Sequence, residues 1–349
     1  MYINKNKLIA EAGKELEKRI PFLSRWKISR GAKASGGVDI MASAEFKGRK
    51  YRFCIDVKPA GYPQYIRSGI LALKEFTSAH PAYYPVIVVP FISGQGKKIC
   101  DKYNIGYIDF SGNAKIAVDS IFVSAQGSGR PKGAAAVSQS IFSPKAARIT
   151  KMFLAEPKAE WIQRDIVGRT GLSKGLVSRI INKMADSGYV KKKDKKVALS
   201  NFDDLLSAWV ESEAKRRRTK KNYYLWAQNP QKLMGVVAGK LSGSKMKYAF
   251  TQEAGASLVA PFASFNIVTV YVDSIEKFPA KALSASPVDT GFNLTVIEAP
   301  DDYMLVNAGV KGGLKVVDNF QLYADLKKNP LRGEKQAGHI LALIRKESK

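Results

Sequence analysis

Residues Ile141 to Leu199 read IFSPKAARITKMFLAEPKAEWIQRDIVGRTGLSKGLVSRIINKMADSGYVKKKDKKVAL. From Pro144 the apolar positions Ile149, Met152 and Phe153 recur at helical spacing, and Pro157 closes that helix near Ala155. Trp161, Ile162, Ile166 and Val167 fall on one face of a second predicted helix. Thr170-Gly171 ends it, glycine being free to take a positive φ. Ser173 is a good N-cap for a third helix, whose stripe Leu176, Val177, Ile180, Ile181 and Met184 turns inward. After Ser187-Gly188, Tyr189 to Leu199 reads as a hairpin with a basic tip.

The outward face of the third helix shows Lys174, Gly175, Ser178, Arg179 and Asn182, beginning at Ser173. These are small or hydrogen-bonding groups of the kinds that touch base edges and phosphates, and Gly175 permits close approach. Lys191, Lys192, Lys193, Lys195 and Lys196 supply cations at the hairpin tip. Helix, turn, helix and basic hairpin together imply a winged helix-turn-helix reading double-stranded DNA. Three helices and a hairpin also serve as dimerisation or protein-docking modules, and a lysine run is commonly a solvated face. FSPKAARI, then Trp161, then GLSKGLVSRIINKMADSGYV resembles the winged helix of bacterial MarR-like and AbiEi-antitoxin-like regulators. That similarity covers about 60 residues.

The whole chain has 349 residues and a formal net charge of +27. This length allows two or three domains, and 45% hydrophobic residues can give each a core. The charge is uneven. Residues 1–140 hold 22 Lys+Arg against 10 Asp+Glu, residues 141–220 hold 19 against 9, and residues 221–349 hold 16 against 11. The first two parts therefore point to a polyanion. An anionic membrane is the rival, but no apolar run approaches the roughly 18–20 residues of a spanning helix. The opening MYINKNKLIAEAGKELEKRI lacks the apolar centre of a signal peptide. Cys54 and Cys100 suit a reducing cytoplasm as buried thiols, and neither they nor His80 and His339 have zinc-site spacing.

Residues 4–20 read as an amphipathic helix with Leu8, Ile9, Ala12, Leu16 and Ile20 inward. Val38 to Met41 and Tyr51 to Lys58 read as strands around a turn at Phe46 to Lys50. Asp39 and Asp56-Val57-Lys58 resemble the motif of the PD-(D/E)xK nucleases, although Gly36-Gly37-Val38 replaces the leading proline. The resemblance implies a restriction-endonuclease-like α/β domain. In it Asp39 and Asp56 would hold Mg²⁺, Lys58 would steady the attacking water or the charged phosphorane, and Glu11 or Glu15 would add an acid. A D-x-K tripeptide is also common on edge strands for solubility. Binding without cleavage is the expected outcome, since function rests on the site rather than the fold. Then come a helix over Pro59 to Phe76, a strand Tyr84 to Phe91, a helix Gly96 to Tyr103, a strand Gly106 to Asp109 and a last strand Ile116 to Ser124. IDFSGNA resembles a segment of bacterial proteins that join a nuclease-like domain to a winged helix. Asp109, Ser111 and Asn113 there fit turn chemistry better than phosphate or metal contact.

QGSGRPKGAAAVSQ, Gln126 to Gln139, reads as a linker. Beyond the hairpin, Asn201 caps a helix with Leu205, Leu206, Trp209 and Val210 inward, which could form a homodimer seam. This helix is expected to run into Lys215-Arg216-Arg217-Arg218-Thr219-Lys220-Lys221, where Arg216, Arg217 and Arg218 are candidate phosphate clamps. Strands are expected at Lys247 to Thr251, Ile267 to Val272, Asn293 to Ile297, Met304 to Val306 and Leu314 to Val317. Helices are expected at Gln252 to Leu258, Asn319 to Lys328 and Glu334 to Arg345. YAFTQEAGASLVAP, VTVYV and VVDNFQLYADLKKNPLRGEKQAGHIL resemble the C-terminal region of AbiEi-type antitoxins. The resemblance implies an interaction module whose partner is a toxin or another protein. Gln321, Tyr323, Asp325 and Arg332-Gly333 match best, at spacings that also suit packing and capping. His339 reads as a packed residue.

The expected architecture is therefore multidomain, α/β plus α+β. It has a nuclease-like α/β domain at 1–125, a linker at 126–140, a winged helix with its basic helix at 141–221, and an α+β interaction domain at 222–349. The function expected first is transcription regulation in an antitoxin-like, mobile-element setting, with no cofactor. A Mg²⁺-dependent DNA endonuclease of a defence or mobile-element system and a plasmid replication initiator stay open as alternatives.

Overall fold

The alternation through Tyr51 to Val57 builds an inner strand of the first sheet, β3 (Arg49–Val57). In the computed structural model, which describes residues 5–31, 37–127, 141–262, 264–328 and 333–348, β3 pairs antiparallel with β2 (Ile40–Phe46) and parallel with β4 (Tyr83–Val89). The sheet continues through β1 (Ser24–Arg30), β5 (Gly106–Asp109), β6 (Ala114–Val118) and β7 (Ile121–Ala125), in the order β1-β2-β3-β4-β5-β6-β7. Because successive strand residues point to opposite faces, β3 serves two cores. Phe53, Ile55 and Val57 meet Leu8, Ala12 and Leu16 of α1 (Lys5–Arg19). Cys54 lies on the other face with Ile66, Ile70, Leu73 and Phe76 of α2 (Pro63–Ala79) and Cys100 of α3 (Gly94–Lys102). Each large side chain so buried stabilises by about 1.5–3 kcal/mol.

One expectation for this unit changes, and one strand is added to those expected. The single strand over Ile116 to Ser124 is a hairpin, with Val118 opposite Ile121 and Asp119 at φ 47° in the turn. Aspartate tolerates the left-handed region better than most side chains. The mostly exposed edge strand β1 gives no apolar alternation for a sequence reading to find.

The chain falls into two compact units, Met1–Gln139 with Ile181–Lys191, and Ser140–Ile180 with Lys192–Lys349. The second runs without a break past residue 221, where the sequence reading ends one domain. Of the expected linker, residues 128–140 lie outside the described residues.

The Ile141–Leu199 segment contains α4 (Pro144–Ala155), β8 (Glu160–Ile162), α5 (Gln163–Thr170), α6 (Lys174–Asp186), β9 (Val190–Lys193) and β10 (Lys196–Leu199). Trp161 and Ile162 are not helical as expected. They form β8, with Trp161 opposite Val197 in a sheet of order β8-β10-β9. Gly171 ends α5 at φ 64°. Next, α7 (Phe202–Ala214) is capped by Asn201, whose side chain accepts from the Asp204 N–H at 3.0 Å. It stops at Ala214 instead of continuing into the basic run, which leads into strand β11 (Lys220–Tyr224).

The remaining sheet comprises β11 with β12 (Tyr248–Thr251), β13 (Val268–Val272), β14 (Ser286–Pro287), β15 (Leu294–Glu298), β16 (Gly309–Lys311) and β17 (Leu314–Val316), in the order β14-β11-β15-β13-β12-β17-β16. One face, with Phe250, Val268, Val270, Val272, Leu294 and Val296, packs on α8 (Pro230–Gly243). The other, with Ala249, Tyr271 and Ile297, meets Ala256 of α9 (Gln252–Val259) and buried residues of α11 (Asn319–Leu326) and α12 (Gly333–Glu347). Met304 to Val306 is helix, not strand. It belongs to α10 (Asp302–Val306), where the Asp301 carboxylate caps the Tyr303 N–H at 3.1 Å. Among the described residues no helix is long and apolar enough to cross a membrane. The protein is a mixed α/β chain.

Candidate nucleic-acid interface

Helix α6 divides cleanly by burial. Val177, Ile180, Ile181 and Met184 are at most 3% exposed. Lys174, Gly175, Arg179 and Asn182 lie exposed on the other side, with Ser178 half-buried. Ser173 is exposed just before the helix, and its hydroxyl accepts from the Leu176 N–H at 3.4 Å. A methyl added at Gly175 would meet open space, so this part of the helix surface is unobstructed. The β9–β10 hairpin exposes Lys191, Lys192, Lys193, Lys195 and Lys196, with Asp194 at φ 53° in its turn. Lys196 pairs with Glu160 at 2.8 Å, raising the lysine and lowering the carboxylate from their ordinary pKa values. Both groups are exposed, so this pair is a weak tie that a phosphate can displace.

Helix α4 fixes the module to the sheet that follows it in the second unit. Arg148 forks onto Asp301 at 2.8 and 2.6 Å, donates to the Thr170 carbonyl at 3.0 Å, and lies 4.5 Å over the Tyr303 ring. Burial alone would raise the Asp301 carboxyl, but the guanidinium and the Tyr303 N–H hold it below its usual range. Lys151 reaches Asp318 at 2.6 Å.

The basic run does not act as a block. Arg216 donates to Glu213 at 2.8 Å and to the Phe142 carbonyl at 2.5 Å. Arg218 is only 8% exposed at its side chain. It pairs with Glu213 and, at 3.4 Å, with Asp325, and it lies 4.9 Å over the Tyr271 ring. Arg218 is an internal cation and Arg216 a half-buried one, both committed to partners within the fold rather than turned outward as the phosphate clamps expected; Arg217 alone of the three is exposed. The reason is the pair of buried acids. Burial disfavours the Glu213 carboxylate, yet Arg218 and Arg216 outweigh it and hold its pKa down. Asp325 also accepts from Thr251 at 2.7 Å, Tyr271 at 2.9 Å and Gln321 at 3.1 Å, while burial pushes its carboxyl up. Gln321 and Asp325 are thus core polar residues. Arg332 lies outside the described residues.

In the first unit, Asp39, Asp56 and Lys58 come together at the end of β3. Asp39 sits just before β2, giving its N–H to the Ile55 carbonyl at 2.9 Å and accepting from the Val57 N–H at 2.8 Å. Asp56 is 1% exposed, and the Lys58 ammonium lies 2.9 Å from it. Its carboxyl is raised to about 6 by burial, with Lys58 opposing and neighbouring Asp39 adding to the rise. Gly69 on α2 makes the space, since a Cβ there would stand 2.8 Å from the Asp56 carboxylate and 3.2 Å from Lys58. No sequence signal marks that glycine. Glu11 and Glu15 are on α1, which packs against the face opposite that of Cys54 and Asp56, and Glu15 pairs with Arg19 at 3.3 Å. Among the described residues no three His, Cys, Asp or Glu side chains gather as a metal site. Two carboxylates and a lysine remain, a set able to hold a hard cation only with waters or a substrate oxygen completing its shell.

Other candidates have internal roles. Asp109 accepts from the N–H groups of Ile92, Ser111 and Asn113 and from the Asn113 amide, which is turn chemistry. Cys54 and Cys100 are buried free thiols, each pushed up to about 12 by burial. His339 is exposed and packs on the Phe262 ring at 4.2 Å. Comparison with protein-family models, curated proteins and solved structures finds no match for this chain.

Proposed function

We propose that the chain is a sequence-specific double-stranded DNA-binding protein that regulates transcription, with Ile141 to Leu199 acting as a winged helix-turn-helix. The observation that carries this reading is the divided surface of α6. Its apolar stripe is buried, while Ser173, Lys174, Ser178, Arg179 and Asn182 lie along one accessible edge beside a hairpin bearing five exposed lysines. In this reading α6 enters the major groove, where Arg179 can donate two hydrogen bonds to guanine and Asn182 can pair with adenine. The lysines of the hairpin neutralise flanking phosphates. The antitoxin-like setting and a toxin partner for the C-terminal sheet belong to this proposal through the sequence resemblance.

A second reading is supported by the convergence of Asp39, Asp56 and Lys58 in a helix–three-strand–helix–strand order: a Mg²⁺-dependent endonuclease guided by the same winged helix. The two share one test. DNA from the protein's own upstream region is incubated with wild type and Asp56→Asn in EDTA and then in Mg²⁺ or Mn²⁺. Specific, salt-sensitive binding with intact DNA throughout supports the regulator. Metal-dependent cleavage that Asp56→Asn abolishes supports the nuclease, and no preference for any DNA refutes both.

A further inference from the structure

The seven-stranded sheet of the second unit carries a polar row across its middle. Asn222 on β11 lies opposite Thr295 on β15, Thr295 opposite Thr269 on β13, and Thr269 opposite Thr251 on β12. Registered neighbours share a face, here the face of Ala249, Tyr271 and Ile297. The row is internally bonded: Thr295 donates to Asn222 at 3.0 Å and Thr269 to Gln252 at 3.0 Å. Helices α9, α11 and α12 cover part of this face with apolar side chains. Over Asn222, Thr269 and Thr295 they leave a cleft of about 540 Å³. That volume is within the roughly 300–1,000 Å³ range of small-molecule sites. Placing hydroxyl and amide groups on the floor of a cleft, where an apolar row would strengthen the core, makes sense if they meet a polar ligand.

The walls indicate its chemistry. Phe262, Phe265 and Phe292 line the cleft, and its charged residues are Lys220, Lys335 and Glu253, a cationic balance. Phe262 is 53% exposed, with its ring 4.2 Å from that of His339. Rings suit a stacked planar heterocycle, the floor can hydrogen-bond its edge, and two ammonium groups suit a phosphate. We propose that this cleft binds a purine nucleotide. The site lies apart from the α6 surface and does not depend on the DNA reading.

Titration calorimetry of the full chain with AMP and GMP, and separately with adenosine and inorganic phosphate, tests it. At least one nucleotide should bind in the micromolar range, with adenosine and phosphate at least tenfold weaker. The double variant Lys220→Gln/Lys335→Gln, at exposed positions, should weaken the nucleotide about tenfold and leave adenosine unchanged. Phe262→Ala should weaken nucleotide and adenosine alike by about tenfold, as loss of a stacking partner does. Failure of both nucleotides to bind at 1 mM overturns the proposal. Binding that both variants leave intact also overturns it, because the nucleotide phosphate is then held elsewhere, such as on the basic hairpin.

Discussion

Arg218→Ala separates an internal cation from a DNA contact. The arginine side chain is 8% exposed and lies between Glu213 and Asp325, themselves 4% and 2% exposed. Removing one partner of a buried pair costs about 3–5 kcal/mol, because it strands a charge in a poor solvent. The lower end applies here. Arg216 still holds Glu213, and Asp325 keeps its donors on Thr251, Tyr271 and Gln321. For a unit of this size each kcal/mol shifts the melting temperature by about 2–4 °C, so Arg218→Ala should lower it by about 6–12 °C. Three of the four tryptophans, Trp161, Trp209 and Trp226, lie in the second unit and Trp26 lies in the first, so a Trp26→Phe background makes tryptophan fluorescence report the second unit's melting. Exposed Arg217→Ala is the control and should change stability by less than about 0.5 kcal/mol. An Arg218→Ala protein that melts with wild type while losing DNA affinity would refute the internal assignment.

Asp56→Asn should remove a pH dependence from the stability of the first unit, because burial holds the Asp56 carboxyl near 6 rather than 3.8 in the native state. The native state then binds the extra proton between those values, so wild-type stability rises as pH falls from about 6 to 4. Urea melts across that window should show the slope in wild type and not in the variant. Arg179→Ala should cost about 1–3 kcal/mol on a specific site and much less on random DNA, as measured by fluorescence anisotropy; equal losses would make Arg179 a phosphate contact. Neutralising Lys192 and Lys193 together should reduce the slope of log affinity against log salt by about 1.8 if each holds one phosphate. An unchanged slope would exclude the hairpin from the footprint.

What the sequence made legible was local. The α6 stripe, the positive-φ Gly171 and the serine before the third helix are signals confined to the stretch from Gly171 to Met184, and all appear where expected. Asp39 and Asp56-Val57-Lys58 could be aligned because antiparallel β2 and β3 are joined by a short turn. The misses are non-local. Trp161 and Ile162 suit one face of a helix and also a short strand, and only pairing with Val197, far along the chain, selects the strand. Lys215 to Lys221 looked like a single charged surface because Glu213 is three residues from one arginine and Asp325 over a hundred from the other. Helix α8 is weakly marked in the sequence although Asn229 caps it at 2.8 Å and Pro230 opens it, since Gly235, Gly239 and Gly243 depress helix propensity. Nothing local connects Gly69 to Asp56.

The attachment of α4 changes what ligand binding and DNA binding can do to one another. Arg148 ties the Thr170 carbonyl, at the end of α5, to the cap of α10, while Lys151 ties α4 to Asp318 before α11. The turn ahead of α6 is thereby held to the same sheet whose polar row floors the nucleotide cleft. A contiguous chain of contacts also runs from Thr251 through Asp325 and Arg218 to Glu213 on α7. Contiguity is not coupling: a ligand shifts DNA affinity only by its differential affinity for two arrangements of the protein. These anchors are buried or half-buried ion pairs that favour one arrangement. A nucleotide bound in the cleft should therefore raise the melting temperature by mass action and leave DNA affinity unchanged. A nucleotide that changes DNA affinity would have to act through the ties of α4 to the sheet, Arg148–Asp301 and Lys151–Asp318, or through the chain from Thr251 by Asp325 and Arg218 to Glu213.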